Sequence, residues 1–173
     1  MKSRSNILLI ILFVAGTIIY SSCKKPEQYP VIPAIAFVDF TKIDNGTGVD
    51  QKGILKFSFT DGDGDLGLSE ADTLPPFNFG GPNYNDLFIT YYEKQNGEYV
   101  AVPLPDSTMT NDSRIPTVTP DGENKSIKGN IEVELFINNP ISTHDTIAYD
   151  VYIVDRALNK SNVFRTPDIV IHK

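Results

Sequence analysis

The strongest constraint on this chain is a strict alternation over 127–137. Ile127, Gly129, Ile131, Val133, Leu135 and Ile137 take one set of alternate positions, and Lys128, Asn130, Glu132 and Glu134 fall between them. Successive side chains of a β-strand point to opposite faces, so this segment is a strand with one apolar face. Such a strand is stable only when a second layer covers that face. The same period recurs where Leu55, Phe57 and Phe59 alternate with Lys56, Ser58 and Thr60. Further runs rich in β-formers lie at 34–41, 86–93, 98–103, 146–154 and 162–171, and Asn96-Gly97 between two of them is a hairpin turn signal. Helical periodicity is weak from residue 34 onward. The twelve Gly and twelve Pro fall mostly between the β-rich runs. About seven short antiparallel strands joined by Gly/Pro turns predict an all-β sandwich or barrel.

Composition narrows the function. The chain carries 15 Lys plus Arg against 22 Asp plus Glu, a net charge of −7. Nucleic-acid phosphates demand clustered cations, so that partner class is excluded. One cysteine rules out a disulfide framework and a Cys-based zinc cage. The histidines are only His144 and His172, and there is no tryptophan to serve as a sugar-stacking platform.

Residues 1–6 are short and basic, and 7–20 are apolar apart from Gly16, Thr17 and Tyr20. That apolar stretch is shorter than the ~20 residues of a spanning helix and reads as a secretion signal. Ser21-Ser22-Cys23 follows, then polar Lys24-Lys25. A small residue directly before the lone Cys resembles the lipobox of bacterial lipoproteins. The resemblance implies cleavage after residue 22 and lipidation of Cys23, with two or more acyl tails giving stable membrane attachment. With its Ser-Cys-Lys-Lys start, the chain resembles small cell-envelope lipoproteins of the Bacteroidota. This implies outer-membrane anchoring, with the periplasmic and cell-surface faces both open. Residues 23–33, with Pro26, Pro30 and Pro33, read as an extended tether that would hold the domain about 30 Å from the lipid. The expected organisation is a signal peptide over 1–22, a lipidated tether over 23–33 and one β-domain over 34–173.

Asp145-Thr146-Ile147-Ala148-Tyr149-Asp150-Val151 resembles the penultimate strand of immunoglobulin-like domains. There an Asp precedes a corner Tyr by four, and a core residue follows it by two. Asp155-Arg156-Ala157-Leu158-Asn159-Lys160-Ser161 is similar to the Asp-x-Ala-Gly-Asn-x-Ser turn of bacterial Ig-like repeats, with Leu158 in place of the usual Gly. The resemblance implies an Ig-like sandwich, with Tyr149 and Asp145 in structural roles. It leaves long connections at 69–85 and 104–125.

The one chemical motif is Thr60-Asp61-Gly62-Asp63-Gly64-Asp65-Leu66-Gly67 at the end of the strand 53–60. Three carboxylates at alternate positions, with glycines that let the backbone curl, suit the six to eight hard oxygens that Ca²⁺ takes at 2.3–2.6 Å. An EF-hand would need Gly at the sixth position and Glu at the twelfth, where this loop has Leu66 and Asp72. In an Ig-like sandwich this loop lies at the same end as the turn after the penultimate strand. Asp155 and Asn159 are therefore expected near Asp61, Asp63 and Asp65, with Glu70 and Asp72 as weaker candidates. Calcium is the expected structural cofactor.

Tyr84, Tyr91, Tyr92 and Tyr99 form the densest aromatic region, but Leu87, Ile89 and Tyr91 alternate as core positions. No nucleophile elbow, zinc-protease helix or phosphate loop is present, and His144-Asp145 is the one His–acid neighbour pair. The expected function is non-enzymatic: a calcium-stabilised, lipid-anchored envelope protein that presents loops to another envelope protein. The alternative is an accessory carbohydrate-binding lipoprotein using surface tyrosines.

Overall fold

In the computed structural model, the residues described are 27–105, 109–118 and 125–173. The signal peptide and Cys23 lie outside them. Eight strands form: β1 (Ala34–Asp44), β2 (Asp50–Asp61), β3 (Leu87–Gln95), β4 (Glu98–Ala101), β5 (Ile127–Phe136), β6 (Thr146–Ile153), β7 (Phe164–Arg165) and β8 (Ile169–Val170). Among the described residues there is no helix. One sheet has the order β1-β2-β5 and the other β4-β3-β6-β7, with β8 also on β6, and all pairings are antiparallel. This is the expected all-β architecture, a sandwich of two antiparallel sheets. The last strand is split in two at Pro167, which has no N–H to give to the ladder.

The alternation drives the packing. Leu55, Phe57 and Leu135 face inward from the first sheet, and Leu87, Ile89, Tyr91, Ile147, Tyr149, Val151 and Ile153 from the second. The aromatic rings bridge the two layers: Phe40 stacks on Tyr149 at 6.0 Å, and Phe57 meets Phe164 at 5.9 Å. Asn96 and Gly97 both adopt positive φ, 54° and 89°, and close the β3–β4 hairpin in register Gln95 to Glu98. Two positive-φ central residues match the right-handed twist of the flanking strands.

Tyr149 occupies the corner position. Its hydroxyl donates to the Phe136 carbonyl at 2.7 Å, tying β6 to the end of β5. The ring is fully buried, and burial raises its pKa well above the usual tyrosine value, so the hydroxyl keeps its proton. Asp145 is exposed and acts locally: its carboxylate accepts from the Thr146 hydroxyl at 2.9 Å, and its carbonyl accepts from Ile171 N at 2.8 Å.

The long connections are knitted to each other. Leu68 N donates to Ile115 O at 2.9 Å, and Ser113 bridges to Leu87. Arg114 then donates to four carbonyls, those of Tyr84, Ser69, Asp72 and Phe77, at 2.7–3.0 Å. A planar guanidinium with five N–H groups can close a loop in this way without a regular ladder. The N-terminal segment is tied in as well. Of residues 23–33, the described part lies on the domain: Tyr29 N donates to Ser126 Oγ at 2.9 Å, and Pro33 is buried.

Tyr149→Phe is expected to cost about 0.5–1.5 kcal/mol, because it removes a buried donor from a half-buried carbonyl. The check is a lower urea midpoint with an unchanged slope; an unchanged midpoint would remove the hydroxyl's structural role.

Candidate metal centre

The site grows out of the alternation that builds the core. On β2 the inward positions are Leu55, Phe57 and Phe59, and the next inward position is Asp61, which is 0% exposed. On β6 they are Tyr149, Val151 and Ile153, and two residues further on lies Asp155, 2% exposed. One strand from each sheet therefore delivers a carboxylate to the same end of the interior. The turn at Gly62 and Gly64 brings Asp63 and Asp65 back toward them. Each of Asp61, Asp63, Asp65 and Asp155 offers an oxygen, and these oxygens all lie within 4.8 Å of one another. Beneath them Leu66 and Leu68 are buried and join the loop to the core.

The glycines have a steric reason. A methyl group at Gly62 would overlap the carbonyl of Tyr29, one at Gly64 the carbonyl of Lys125, and one at Gly67 the carbonyl of Pro116. Gly64 and Gly67 also sit at positive φ, 65° and 96°. The loop is thus enclosed by three other chain segments, and only residues without Cβ permit that approach.

The electrostatics of the group are unfavourable as it stands. Both carboxylate oxygens of Asp61, and Oδ1 of Asp63 and of Asp65, are buried without a hydrogen-bond partner. Two full charges 4.8 Å apart repel by about 3.5 kcal/mol at an effective dielectric constant of about 20. Burial, with the carboxylates of Asp63, Asp65 and Asp155 adding to it, pushes Asp61 up to about 7. Asp65 is also raised, first by burial and then by Asp155 and Asp63, while the Ala157 N–H and Arg156 oppose the rise. Four convergent oxygen donors, several of them orphaned, form a cluster that can hold a metal ion.

Other expected residues take different places. Asn159 holds Asp155 in position: its N–H donates to Oδ1 at 2.7 Å and its side-chain amide to Oδ2 at 2.9 Å. Asp72 lies outside the group. It forms a two-pronged ion pair with Arg156 at 2.7 and 2.8 Å, which together with Ser69 holds its carboxyl far below the usual range. Glu70 is exposed and also outside the group. Both follow the loop closely in the chain, but the segment after the turn carries them past the site.

The sequence reading missed Arg156, Arg114 and Asp86. Asp86 is buried, accepts from Ile115 N at 2.7 Å through Oδ1, and leaves Oδ2 without a partner. Burial raises it to about 6. Its place just before β3 gives it no periodic signature. His144 and Asp145 lie before the start of β6, at the opposite end of that strand from Asp155.

The tyrosines divide as the alternation implies. Tyr91 is core, whereas Tyr92 and Tyr99 lie on the outer face, with Arg165 over both rings at 4.4 and 4.9 Å. Tyr84 is covered by Arg114 at 4.3 Å. Each of these three rings thus has a cation of the chain itself against it. No family model, curated protein or solved structure matches the chain.

A pH trend follows for the metal-free protein. The folded-state value of Asp61, about 7, lies above its ordinary 3.8, so the folded state holds that proton more tightly. Its contribution is complete below about pH 4 and is lost as pH rises through about 7. Asp86, raised to about 6, acts in the same direction. In chelator, the melting temperature should therefore fall between about pH 5 and about pH 8, and Asp61→Asn should flatten that fall. A midpoint that rises with pH in chelator would contradict the burial of an unpaired Asp61.

Proposed function

We propose that this protein is a lipid-anchored, non-enzymatic component of the cell envelope, stabilised by calcium and displaying loops to another envelope protein. The observation that carries the reading is Asp61: fully buried, with both oxygens unpartnered, among three further carboxylates. An all-oxygen donor set selects hard cations over zinc and copper. Ligands on opposite sides of a Ca²⁺ ion at ~2.4 Å stand ~4.8 Å apart, which suits the spread of this group. Four carboxylates in one protein cage also favour calcium, because Mg²⁺ keeps several waters and uses one or two carboxylates. An ion there offsets the mutual repulsion of the group and joins the β2 end to the turn after β6, one sheet to the other.

The anchor rests on the basic, apolar leader and Cys23. The displayed surface is the connection between β2 and β3, where Leu74 is 76% and Phe79 83% exposed. Large apolar side chains held outward by a braced loop suit a protein partner.

Thermal unfolding of the full chain tests the calcium. At about ten times the dissociation constant, linkage gives RT ln 11, about 1.4 kcal/mol, or roughly 3–6 °C for a domain of this size. Wild type should gain that shift, magnesium should give less, and Asp63→Asn with Asp65→Asn should abolish it. Equal melting with and without calcium, with the double variant more stable, would make this a repulsive acidic turn. The anchor is tested by Cys23→Ala, which should leave the protein unprocessed and out of the salt-washed membrane fraction. Normal processing and membrane retention of that variant would remove the lipoprotein reading.

A further inference from the structure

The segment that joins the domain to Cys23 is seated on the metal loop. Its backbone at Tyr29 and Pro30 lies so close to Gly62 that a single methyl group there would overlap both carbonyls. Gly62 stands between Asp61 and Asp63, two members of the carboxylate group. On the other side of the loop, Gly64 is pressed in the same way against the Lys125 carbonyl. Ser126, the next residue, accepts the Tyr29 N–H at 2.9 Å, so the two covers of the loop are tied to each other. The segment is held further by an ion pair between Glu27 and Lys128 and by the Lys128 ammonium 6.0 Å from the Tyr29 ring. At its end, the Asn162 side chain clips Ile35 through both N–H and carbonyl at 2.9 Å. Asn162 follows directly on the turn that carries Asp155.

These contacts make a seat whose shape depends on the backbone of 62–64. That backbone is compact only while Asp61, Asp63 and Asp65 converge, and without a cation their charges oppose convergence. We infer that a divalent cation in the Asp61–Asp63–Asp65–Asp155 site locks residues 27–33 onto the domain, and that loss of the cation releases them as extra tether. The inference rests on the calcium reading above. Released, those residues would add roughly 20 Å of extended chain between the domain and its anchor. Coupling between the two sites is reciprocal: whatever factor calcium adds to docking of the segment, docking adds to calcium affinity.

The chain has no tryptophan, so Tyr29→Trp places a single reporter in the seat. In the full chain carrying this change, calcium should blue-shift the emission and protect it from acrylamide, and chelator should reverse both. Adding Gly62→Ala, which displaces the segment sterically at ordinary φ, should leave the emission red-shifted even in calcium. It should also weaken calcium binding in calorimetry by about 5-fold or more. Should Gly62→Ala fail to fold, Ser126→Ala, which removes the Tyr29 N–H acceptor, should move both readouts in the same direction. Calcium binding seen by calorimetry with unchanged emission from the Tyr29→Trp reporter would overturn the coupling and leave the calcium site standing. Absence of both the binding heat and the emission change would overturn the calcium reading and the inference with it.

Discussion

The architecture depends on a carboxylate buried at the end of a hydrophobic core. Asp61 continues the inward face of β2 directly after Phe57 and Phe59, so it cannot turn to solvent without breaking the strand's alternation. An unpaired buried carboxylate is costly, and the structure answers by gathering three more around it. Four carboxylates gathered in this way could hold a metal ion. The group draws acids from both sheets to one end of the interior.

From this point the polar framework spreads outward. Asp155 is aimed by Asn159, and its neighbour Arg156 reaches Asp72 on the connection between β2 and β3. Arg114 gathers four carbonyls of the same region, including that of Asp72. A long connection with little regular secondary structure is thereby held in shape by two arginines. Exposed Leu74 and Phe79 stand out from it without a ladder behind them. The opposite end of the sandwich uses different means: the Tyr149 hydroxyl on the Phe136 carbonyl, and the buried Glu93 carboxylate bonded to Ser142 at 2.7 Å and Asn139 at 3.1 Å.

The two ends are therefore unlike in kind. Glu93 is buried but satisfied by neutral donors, and these hold its carboxyl below the usual range despite burial. Asp61 is buried and unsatisfied, and its value is raised. Two buried acids in one small domain thus shift in opposite directions because one has donors and the other has only further acids.

The strands were legible in the sequence because a period of two is a local property: each inward residue of β2, β5 and β6 is marked by its neighbours. The same period, carried to the last residue of β2 and two residues past β6, aims Asp61 and Asp155 inward, and the order of strands puts both at one end. The Asp-Gly alternation of 61–65 was equally visible. The roles of Asn159, Asp72, Arg156 and Arg114 were not. Their partners lie four to 84 residues away and are mostly single carboxylates or backbone carbonyls, which leave no pattern along the chain. The seating of Tyr29 and Pro30 against Gly62 belongs to the same class. A proline-rich segment reads as extended whether it runs free or lies on a surface, and only the tertiary structure, by bringing a residue without Cβ beneath it, decided which.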